Sequence, residues 1–143
     1  LAAAHSYARR GETPWTPAIS LLYGLDAATK LILKEGAAQV FSRHAHLARR
    51  LREGLRDMGL QILASEHHAS PTVTVARLPC GLESASLLQR LRERHMIVAA
   101  DGQGSLKGKV FRIGHMGYVS QDDVEYLLDA VRDVLCSFGI GMV

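Results

Sequence analysis

The sequence predicts an α+β fold in which two long helices precede a small domain with the element order β-β-α-β-β-α. Apolar residues recur with helical spacing up to about residue 58. After Gly59 the period changes from 3.6 to 2, and short strands and helices then follow one another without regular βαβ alternation. We therefore expect the helices to cover one face of a mainly antiparallel sheet.

The first long helix follows a rigid segment. Each proline of Thr13–Pro17 disfavours helix in the residue before it. Thr16 suits a helix N-cap and Pro17 a first helical residue, which predicts a helix that begins there and ends at Gly36. Apolar residues cover much of its circumference, so we expect it to be buried on more than one side. These residues are Ile19, Leu22, Tyr23, Leu25, Ala28, Leu31, Ile32 and Leu33.

The second long helix is predicted from about Ala37 to Met58, with Gly59 closing it. One apolar stripe runs along it at 3- and 4-residue spacing: Val40, Phe41, His44, Leu47, Ala48, Leu51, Leu55 and Met58. Charged residues fill the other faces and are interpreted as a solvated surface. They are Arg43, Arg49, Arg50, Arg52, Glu53, Arg56 and Asp57.

The remaining elements are shorter. Residues 60–64 and 72–78 alternate as strands, a helix is predicted over Ser84–His95, and the apolar run 96–100 indicates a buried strand. Ser120 is predicted to cap the last helix, whose first turn carries two acids that suit the helix dipole.

Between these last two elements lies the most distinctive stretch, Gly102–Tyr118, a glycine-rich loop followed by one short apolar strand and a tight turn. Strand alternation places Arg112 on the face opposite Phe111 and Ile113. A guanidinium among apolar side chains and glycines needs an anion, and its planar fork matches a carboxylate. Two partners are possible at this point, an Asp or Glu of the same chain or the carboxylate of a ligand.

The other constellations do not indicate a complete active site. The loop lacks the third glycine of a dinucleotide fingerprint and the GKS or GKT of a P-loop, so it does not fit a phosphate-binding loop. A mobile loop beside a ligand site is one alternative interpretation of it. His44 and His46 are two residues apart on a helix and point in different directions, and His67–His68 has no further ligand at metal-binding spacing, so no metal site is predicted. No Ser-His-Asp arrangement can be argued from the spacing.

Composition sets further limits. The chain has 143 residues, of which 48% are hydrophobic and 22% charged, as in ordinary soluble globular proteins. The net charge is +3, but the arginines are dispersed and aromatic residues are few, at 6%, which argues against nucleic-acid binding. No apolar run reaches the ~18 residues of a membrane span, and Leu1–Ala4 lacks the features of a secretory signal. Cys80 and Cys136 are isolated, so we expect free thiols in the cytoplasm.

Three segments carry a resemblance to a known family: Gly11–Ile19 with its Thr-Pro pairs, the loop Gly102–Lys109, and Phe111–Gly117. Together they resemble the class V pyridoxal-phosphate-dependent aminotransferases of the serine/alanine–glyoxylate type, which belong to the fold-type I group. The order of the segments and the elements between them also match. The likeness extends from about Ser6 to Phe138, and Arg-Ile-Gly-His-Met-Gly after the glycine loop is its most specific part.

The resemblance implies that the chain is the C-terminal part of a polypeptide of roughly 380 residues, which fits several domain units. The start at Leu1, directly before structured-looking sequence, also suggests a piece of a longer chain. Residues 1–16 would be an extended segment leading from a large domain, 17–58 the interdomain and second helices, and 59–143 the small domain.

The resemblance also implies the site residues. The family's arginine at this position binds the substrate α-carboxylate, which assigns that role to Arg112. A threonine in the Thr-Pro segment contacts the pyridoxal phosphate of the neighbouring subunit in a two-fold dimer, which assigns Thr13 to cofactor binding and leaves Thr16 as the helix cap. The family's Schiff-base lysine lies upstream of such a segment. The first lysine here is Lys30, inside a helix, so no catalytic residue is expected and the segment alone should be inactive.

The implied reaction of the parent chain is transfer of an amino group from a small amino acid of the serine or alanine type to a 2-keto acid such as glyoxylate or pyruvate. Family relatives that act on sulfur or phosphorylated substrates stay open. So does a non-enzymatic alternative, a stand-alone α+β module that binds a ligand or a protein. The two long apolar helices argue against that module, because they would leave a large apolar surface exposed.

Overall fold

A computed structural model describes residues 2–140 of the chain. Its helices are α1 (Ala2–Ala8), α2 (Ile19–Glu35), α3 (Ala37–Asp57), α4 (Ser84–His95) and α5 (Gln121–Ser137), and its strands are β1 (Val73–Arg77), β2 (Ala100–Asp101) and β3 (Val110–Gly114). Short 3-10 turns span Glu66–His68 and Gly104–Leu106. Within this range no helix combines the length and apolarity that crossing a bilayer requires.

By contacts between residues the chain divides into two compact units, Leu1–Val40 and Phe41–Val143. The predicted division at residues 16 and 58 stays a prediction. Within the first 16 residues, predicted to be extended, the structure has the short helix α1. Four of its seven residues are alanine, the strongest helix former, and no apolar period is needed for so short a helix.

The helix α2 differs from its prediction in two ways. It begins at Ile19 rather than Pro17, and the residue at its N-cap is Ala18, which makes no side-chain capping bond, so Thr16 is not the cap. It ends at Gly36, as predicted. None of its residues is buried, although burial on several sides was predicted: Leu21 and Leu33 are each about three quarters exposed. The apolar pattern shows a helix that requires a covering surface, and the described residues do not supply one.

The helix α3 has the predicted bounds, and the C-terminal half of its apolar stripe is buried. One residue of its charged faces is not solvated as predicted. Arg52 is only 6% exposed and donates to both carboxylate oxygens of Glu66, which also accepts from Arg56. The aliphatic stem of an arginine can be buried when its charged head finds a carboxylate, and spacing along one helix does not reveal a partner from a later turn.

The sheet has three antiparallel strands in the order β1-β3-β2, so the predicted α+β class with an antiparallel sheet is confirmed. The predicted strand at 60–64 is reduced to an isolated bridge between Ile62 and Ala76, although Leu63 N–H also donates to the Val75 carbonyl. It runs beside the outer edge of β1 without forming a continuous ladder.

The run 96–100 was predicted as a buried strand, and this was wrong. Met96 caps α4 in the left-handed conformation (φ 56°) and is 84% exposed, and Val98 is 81% exposed. Only Ala100 joins the sheet, as part of the two-residue β2. The run is apolar without strand periodicity, and apolarity alone does not distinguish a helix cap and connector from a strand.

The core lies between one face of the sheet and the helices. From the sheet it takes Ala76, Phe111 and Ile113, and the helices contribute apolar residues of α3, α4 and α5. The Ser120 cap of α5 is confirmed, since the Ser120 hydroxyl accepts from Asp123 N–H and the Asp123 carboxylate accepts from Ser120 N–H. The opposite face of the sheet carries Arg112.

His115, directly after β3, is a buried polar residue on the core side of the sheet. It is 1% exposed, its ring Nε2 lies 2.9 Å from Thr74 Oγ1, and its main-chain N–H donates to the Thr72 carbonyl at 2.9 Å. Its Nδ1 has no hydrogen-bond partner among the described residues. Burial lowers the pKa of this imidazole, because the charged form loses its hydration, and the nearby Arg52 charge acts in the same direction.

We expect Glu66→Gln to lower the free energy of unfolding at pH 7 by about 1–3 kcal/mol, because Arg52 is left buried without a countercharge. The side-chain bonds from Arg52 and Arg56 lower the pKa of Glu66 to about 2, from 4.5. The carboxylate therefore stabilises the fold fully above about pH 4.5, and this contribution is lost as the pH falls towards 2. Urea denaturation at pH 7, 5, 4 and 3 measures the difference, with the exposed Glu93→Gln as the matched control. A difference from the unmodified chain that stays constant from pH 7 to 3 would contradict it.

A second pH dependence is expected from His115. Because its pKa is lowered in the folded state, the unfolded chain binds more protons below the ordinary histidine pKa of about 6.5. The free energy of unfolding should therefore fall as the pH drops from 7.5 to 5.5, and His115→Gln should reduce this slope. The same substitution at His46, an exposed histidine of α3, is the control. Equal changes in slope for the two variants would refute the assignment to His115.

Candidate carboxylate-binding site

Arg112 occupies the centre of the central strand. It lies opposite Val75 of β1 and opposite Ala100 of β2, so small or apolar residues flank it on both sides. It is half-buried, on the sheet face that the core helices do not cover. The alternation predicted from sequence is confirmed, since Phe111 and Ile113 belong to the core on the other face.

The guanidinium of Arg112 is held by one internal bond. Its Nε donates to the main-chain carbonyl of Asp101 at 2.7 Å. Among residues 2–140 no carboxylate forms an ion pair with it, and its terminal nitrogens donate to none of these residues. Of the two partners considered for this arginine, the Asp or Glu of the same chain is therefore not found in the part that the structure describes.

The glycine-rich loop is fastened beside Arg112 by the side chain of Asp101. Its Oδ1 accepts from Ser84 Oγ at 2.6 Å, from Gly102 N–H at 2.6 Å and from Gly108 N–H at 3.0 Å. These bonds, that of Ser84 first, lower the pKa of the Asp101 carboxyl, because all three stabilise the charged form. One carboxylate thus joins both ends of the loop to the first residue of α4.

Two glycines of this loop are required by its geometry. A Cβ on Gly102 would lie 2.2 Å from the Leu106 carbonyl oxygen and 2.7 Å from a methyl of Val110, so any larger residue would displace the loop. Gly108 adopts φ +78°, a conformation that L side chains rarely adopt. The loop thereby packs on Val110, which is fully buried and shares the sheet face of Arg112.

The turn after β3 is tied to α3. Gly117 N–H donates to His44 Nε2 at 3.0 Å, and Arg43 Nη1 donates to the carbonyls of Gly117 and Val119 at 3.1 and 3.0 Å. Met116 and Tyr118 are exposed on this turn. The strand that carries Arg112 is therefore fixed at one end by the Asp101 loop and at the other by two side chains of α3.

Sequence reasoning selected Arg112 and the loop but missed Asp101 and Ser84. An acidic residue directly before Gly-x-Gly was an available signal, because a carboxylate at such a position can accept from the amides of the turn that follows. The link to Ser84 depends on tertiary structure, since 17 positions separate the two residues.

Thr13, the other predicted site residue, lies in the first compact unit, whereas Arg112 lies in the second. It is exposed and belongs to the non-helical segment between α1 and α2. Its hydroxyl is thus available to a ligand, and its cofactor contact stays a prediction.

The described residues do not form a pyridoxal phosphate site by themselves. Lys30 is ion-paired with Asp26 on the surface of α2, and Lys109 donates to the Ser105 carbonyl in the loop. Neither is placed as a buried amine ready to form an imine with the cofactor. Across residues 2–140 no group of three or more His, Cys, Asp or Glu side chains is arranged to hold a metal ion, and Cys80 and Cys136 are free and exposed.

Comparison with known proteins identifies relatives of this chain, although no family model matches it. The chain is 40% identical over 133 residues to an uncharacterised aminotransferase of Methanocaldococcus jannaschii, covering 93% of this chain and 34% of that protein. It is 35% identical over 131 residues to the serine–glyoxylate aminotransferase of Arabidopsis thaliana, covering 91% and 33%. The chain thus spans about one third of the length of the relatives it matches.

Comparison with a solved structure leads to the same family of proteins as the sequence comparison. The crystal structure of pyridoxamine–pyruvate aminotransferase from Mesorhizobium loti superposes with a TM-score of 0.85 at 38% identity, covering 91% of this chain and 34% of that one. The shares covered are consistent with a C-terminal segment, as the sequence predicts. The chain therefore belongs to the class V aminotransferases, of which it spans about one third.

Proposed function

We propose that this chain is the C-terminal, substrate-carboxylate-binding segment of a pyridoxal-phosphate-dependent transaminase. The parent enzyme would transfer an amino group from a small amino acid of the serine or alanine type to a 2-keto acid such as glyoxylate or pyruvate. The similarity to a serine–glyoxylate and a pyridoxamine–pyruvate enzyme supports this class of reaction. When bound, the cofactor would accept and return the amino group, and this segment would hold the substrate.

The observation that carries the proposal is the Arg112 guanidinium, which has no carboxylate partner among the described residues. A half-buried cation without a counterion is costly, and a substrate carboxylate would remove that cost through two charged hydrogen bonds. Amino acids and 2-keto acids share this carboxylate, so one arginine serves both half-reactions.

We further propose that Thr13 contacts the cofactor phosphate of the neighbouring subunit in a two-fold homodimer, and that the enzyme is cytoplasmic. The exposed position of this threonine in a non-helical segment supports the first part, because its hydroxyl can donate to a phosphate oxygen. The two free thiols are in keeping with a reducing compartment.

The exposed apolar residues of α2 disfavour the alternative of a stand-alone binding module. Leu21, Tyr23 and Leu33 are each more than two thirds exposed, which is unusual for one helix of an independent domain. A parent chain with a further domain, or a second subunit, would supply the missing cover.

In the full-length enzyme we expect Arg112→Ala to raise KM for both the amino acid and the keto acid by about 10–100-fold, the range for losing a charged hydrogen bond of about 1.5–3 kcal/mol. The KM values of Arg112→Lys should lie between those of the unmodified enzyme and those of Arg112→Ala, since an ammonium cannot bind a carboxylate bidentately. Steady-state kinetics with both substrates measure this, and titration with pyridoxal phosphate should show little change in cofactor affinity. Arg77→Ala is the matched control, because Arg77 is an exposed arginine of β1 on the same face of the sheet as Arg112. Unchanged KM values in Arg112→Ala would refute the assignment.

The 143-residue segment by itself should not catalyse transamination, because its lysines are all exposed and none is placed as a buried amine that could bind the cofactor as an imine. They are Lys30, Lys34, Lys107 and Lys109. Incubation with pyridoxal phosphate, serine and glyoxylate should give no glycine above the protein-free rate, while the full-length enzyme does. Turnover by the purified segment would show that its residues suffice and would overturn this part of the proposal.

A further inference from the structure

Asp101 contacts Arg112 and the glycine loop at the same time, with two different parts of the residue. Its main-chain carbonyl accepts from Arg112 Nε at 2.7 Å, while its side-chain Oδ1 accepts from Ser84, Gly102 and Gly108. The carbonyl that holds Arg112 and the carboxylate that fastens the loop thus belong to one residue, which also pairs with Phe111 in the ladder between β2 and β3. Nothing in the proposed binding of substrate by Arg112 requires this carboxylate.

The bond to Nε determines which edge of the guanidinium is presented. A carboxylate can bind an arginine through Nε and one Nη, or through both Nη atoms. In this structure Nε is occupied by the Asp101 carbonyl, and neither Nη donates to any residue that the structure describes. Only the edge formed by Nη1 and Nη2 is thus available for a bidentate contact.

The carboxylate of Asp101 is well suited to holding this arrangement. One of its oxygens accepts hydrogen bonds from the amides of Gly102 and Gly108 and from the buried hydroxyl of Ser84 in α4. These bonds close the loop onto the end of β2. The backbone bond from Ser84 N–H to the Gly108 carbonyl, at 3.1 Å, strengthens the same junction. Without the carboxylate, two loop amides would lose their acceptor and the loop with its glycines would gain conformational freedom.

We propose that Asp101 is a positioning residue that orients Arg112, so that its Nη1–Nη2 edge faces the substrate carboxylate. The inference rests on the proposed function, since it deepens the role given there to Arg112. Asp101 does not touch the substrate. Its effect is to fix the arginine before binding, so that the substrate does not have to supply the free energy of ordering it.

The test uses the full-length enzyme and four variants: Asp101→Ala, Asp101→Asn, Arg112→Ala and the double variant Asp101→Ala/Arg112→Ala. We expect Asp101→Ala to raise KM for the amino acid and the keto acid by about 5–20-fold with a smaller change in kcat, as for lost uniform binding. Asp101→Asn should recover much of this loss, because its amide oxygen still accepts hydrogen bonds. The inhibition constant of propionate, which offers a carboxylate without an amino group, should rise in parallel.

Asp123→Ala is the matched control. It removes a carboxylate that also accepts from a backbone amide and a serine hydroxyl, in the cap of α5 and away from Arg112. A loss of stability without a change in KM is expected there. A similar rise in KM in this control would show that general destabilisation, and not the position of Arg112, explains the effect of Asp101.

The double variant separates the two proposals. If Asp101 acts through Arg112, Asp101→Ala should change KM by less than about twofold once Arg112 is alanine, since interacting residues are not additive. If the fold-changes in KM of the two single substitutions multiply in the double variant, the role of Asp101 is refuted while the proposed function stands. The same conclusion follows if Asp101→Ala leaves KM unchanged while Arg112→Ala raises it. An unchanged KM in Arg112→Ala would instead overturn the proposed function. If Asp101→Ala does not fold, the same comparison is made in both backgrounds with Ser84→Ala, which removes one of the three hydrogen bonds to the Asp101 carboxylate.

Discussion

A positive charge at the centre of a small sheet is the constraint on which this structure depends. The guanidinium of Arg112 lies on the central strand, on the face that the core helices leave uncovered. Among residues 2–140 its one hydrogen bond is to a carbonyl rather than to a carboxylate. An isolated charge in such a place would normally be removed or neutralised. Side chains hold the backbone on both sides of this charge, because Asp101 binds the loop before β3 and His44 binds the turn after it.

Arg52 and Arg112 are two of the arginines that are at least partly buried, and they are bound in different ways. Arg52 is almost completely buried and is neutralised internally by Glu66, which gives it a structural role. Arg112 is only half-buried, has a neutral acceptor on Nε, and keeps both terminal nitrogens free of bonds to the described residues. The Arg52 charge is therefore neutralised by a carboxylate of the same chain, whereas the Arg112 charge has no carboxylate partner among residues 2–140. The binding role proposed for Arg112 rests on this difference and not on burial alone.

Much of this could be predicted from the sequence. The periodicity of α3 and α5, the Ser120 cap and the alternation around Arg112 are local features, and the structure has them at nearly the predicted positions. The errors concern what local patterns do not contain. The burial of Arg52 depends on Glu66 in a later turn, the exposure of Met96 on a helix cap in the left-handed conformation, and the role of Asp101 on the tertiary approach of α4. The apolar pattern of α2 revealed a need for cover but not where the cover comes from.

The two outer edges of the sheet are either short or covered, which has a consequence for self-association. One edge is the two-residue β2, and the outer edge of the five-residue β1 is covered by residues 61–63, which form a bridge at Ile62 and two backbone hydrogen bonds to Val75 and Arg77. An exposed ladder of unpaired amides and carbonyls would invite a strand from another molecule, and a short or covered edge offers few such groups. The irregular backbone at 62–63 and 96–99, which defeated a strand prediction, thus protects a three-stranded sheet from pairing edge to edge. Restoring regular strands there would lengthen both edges and create the template for aggregation that the present backbone avoids.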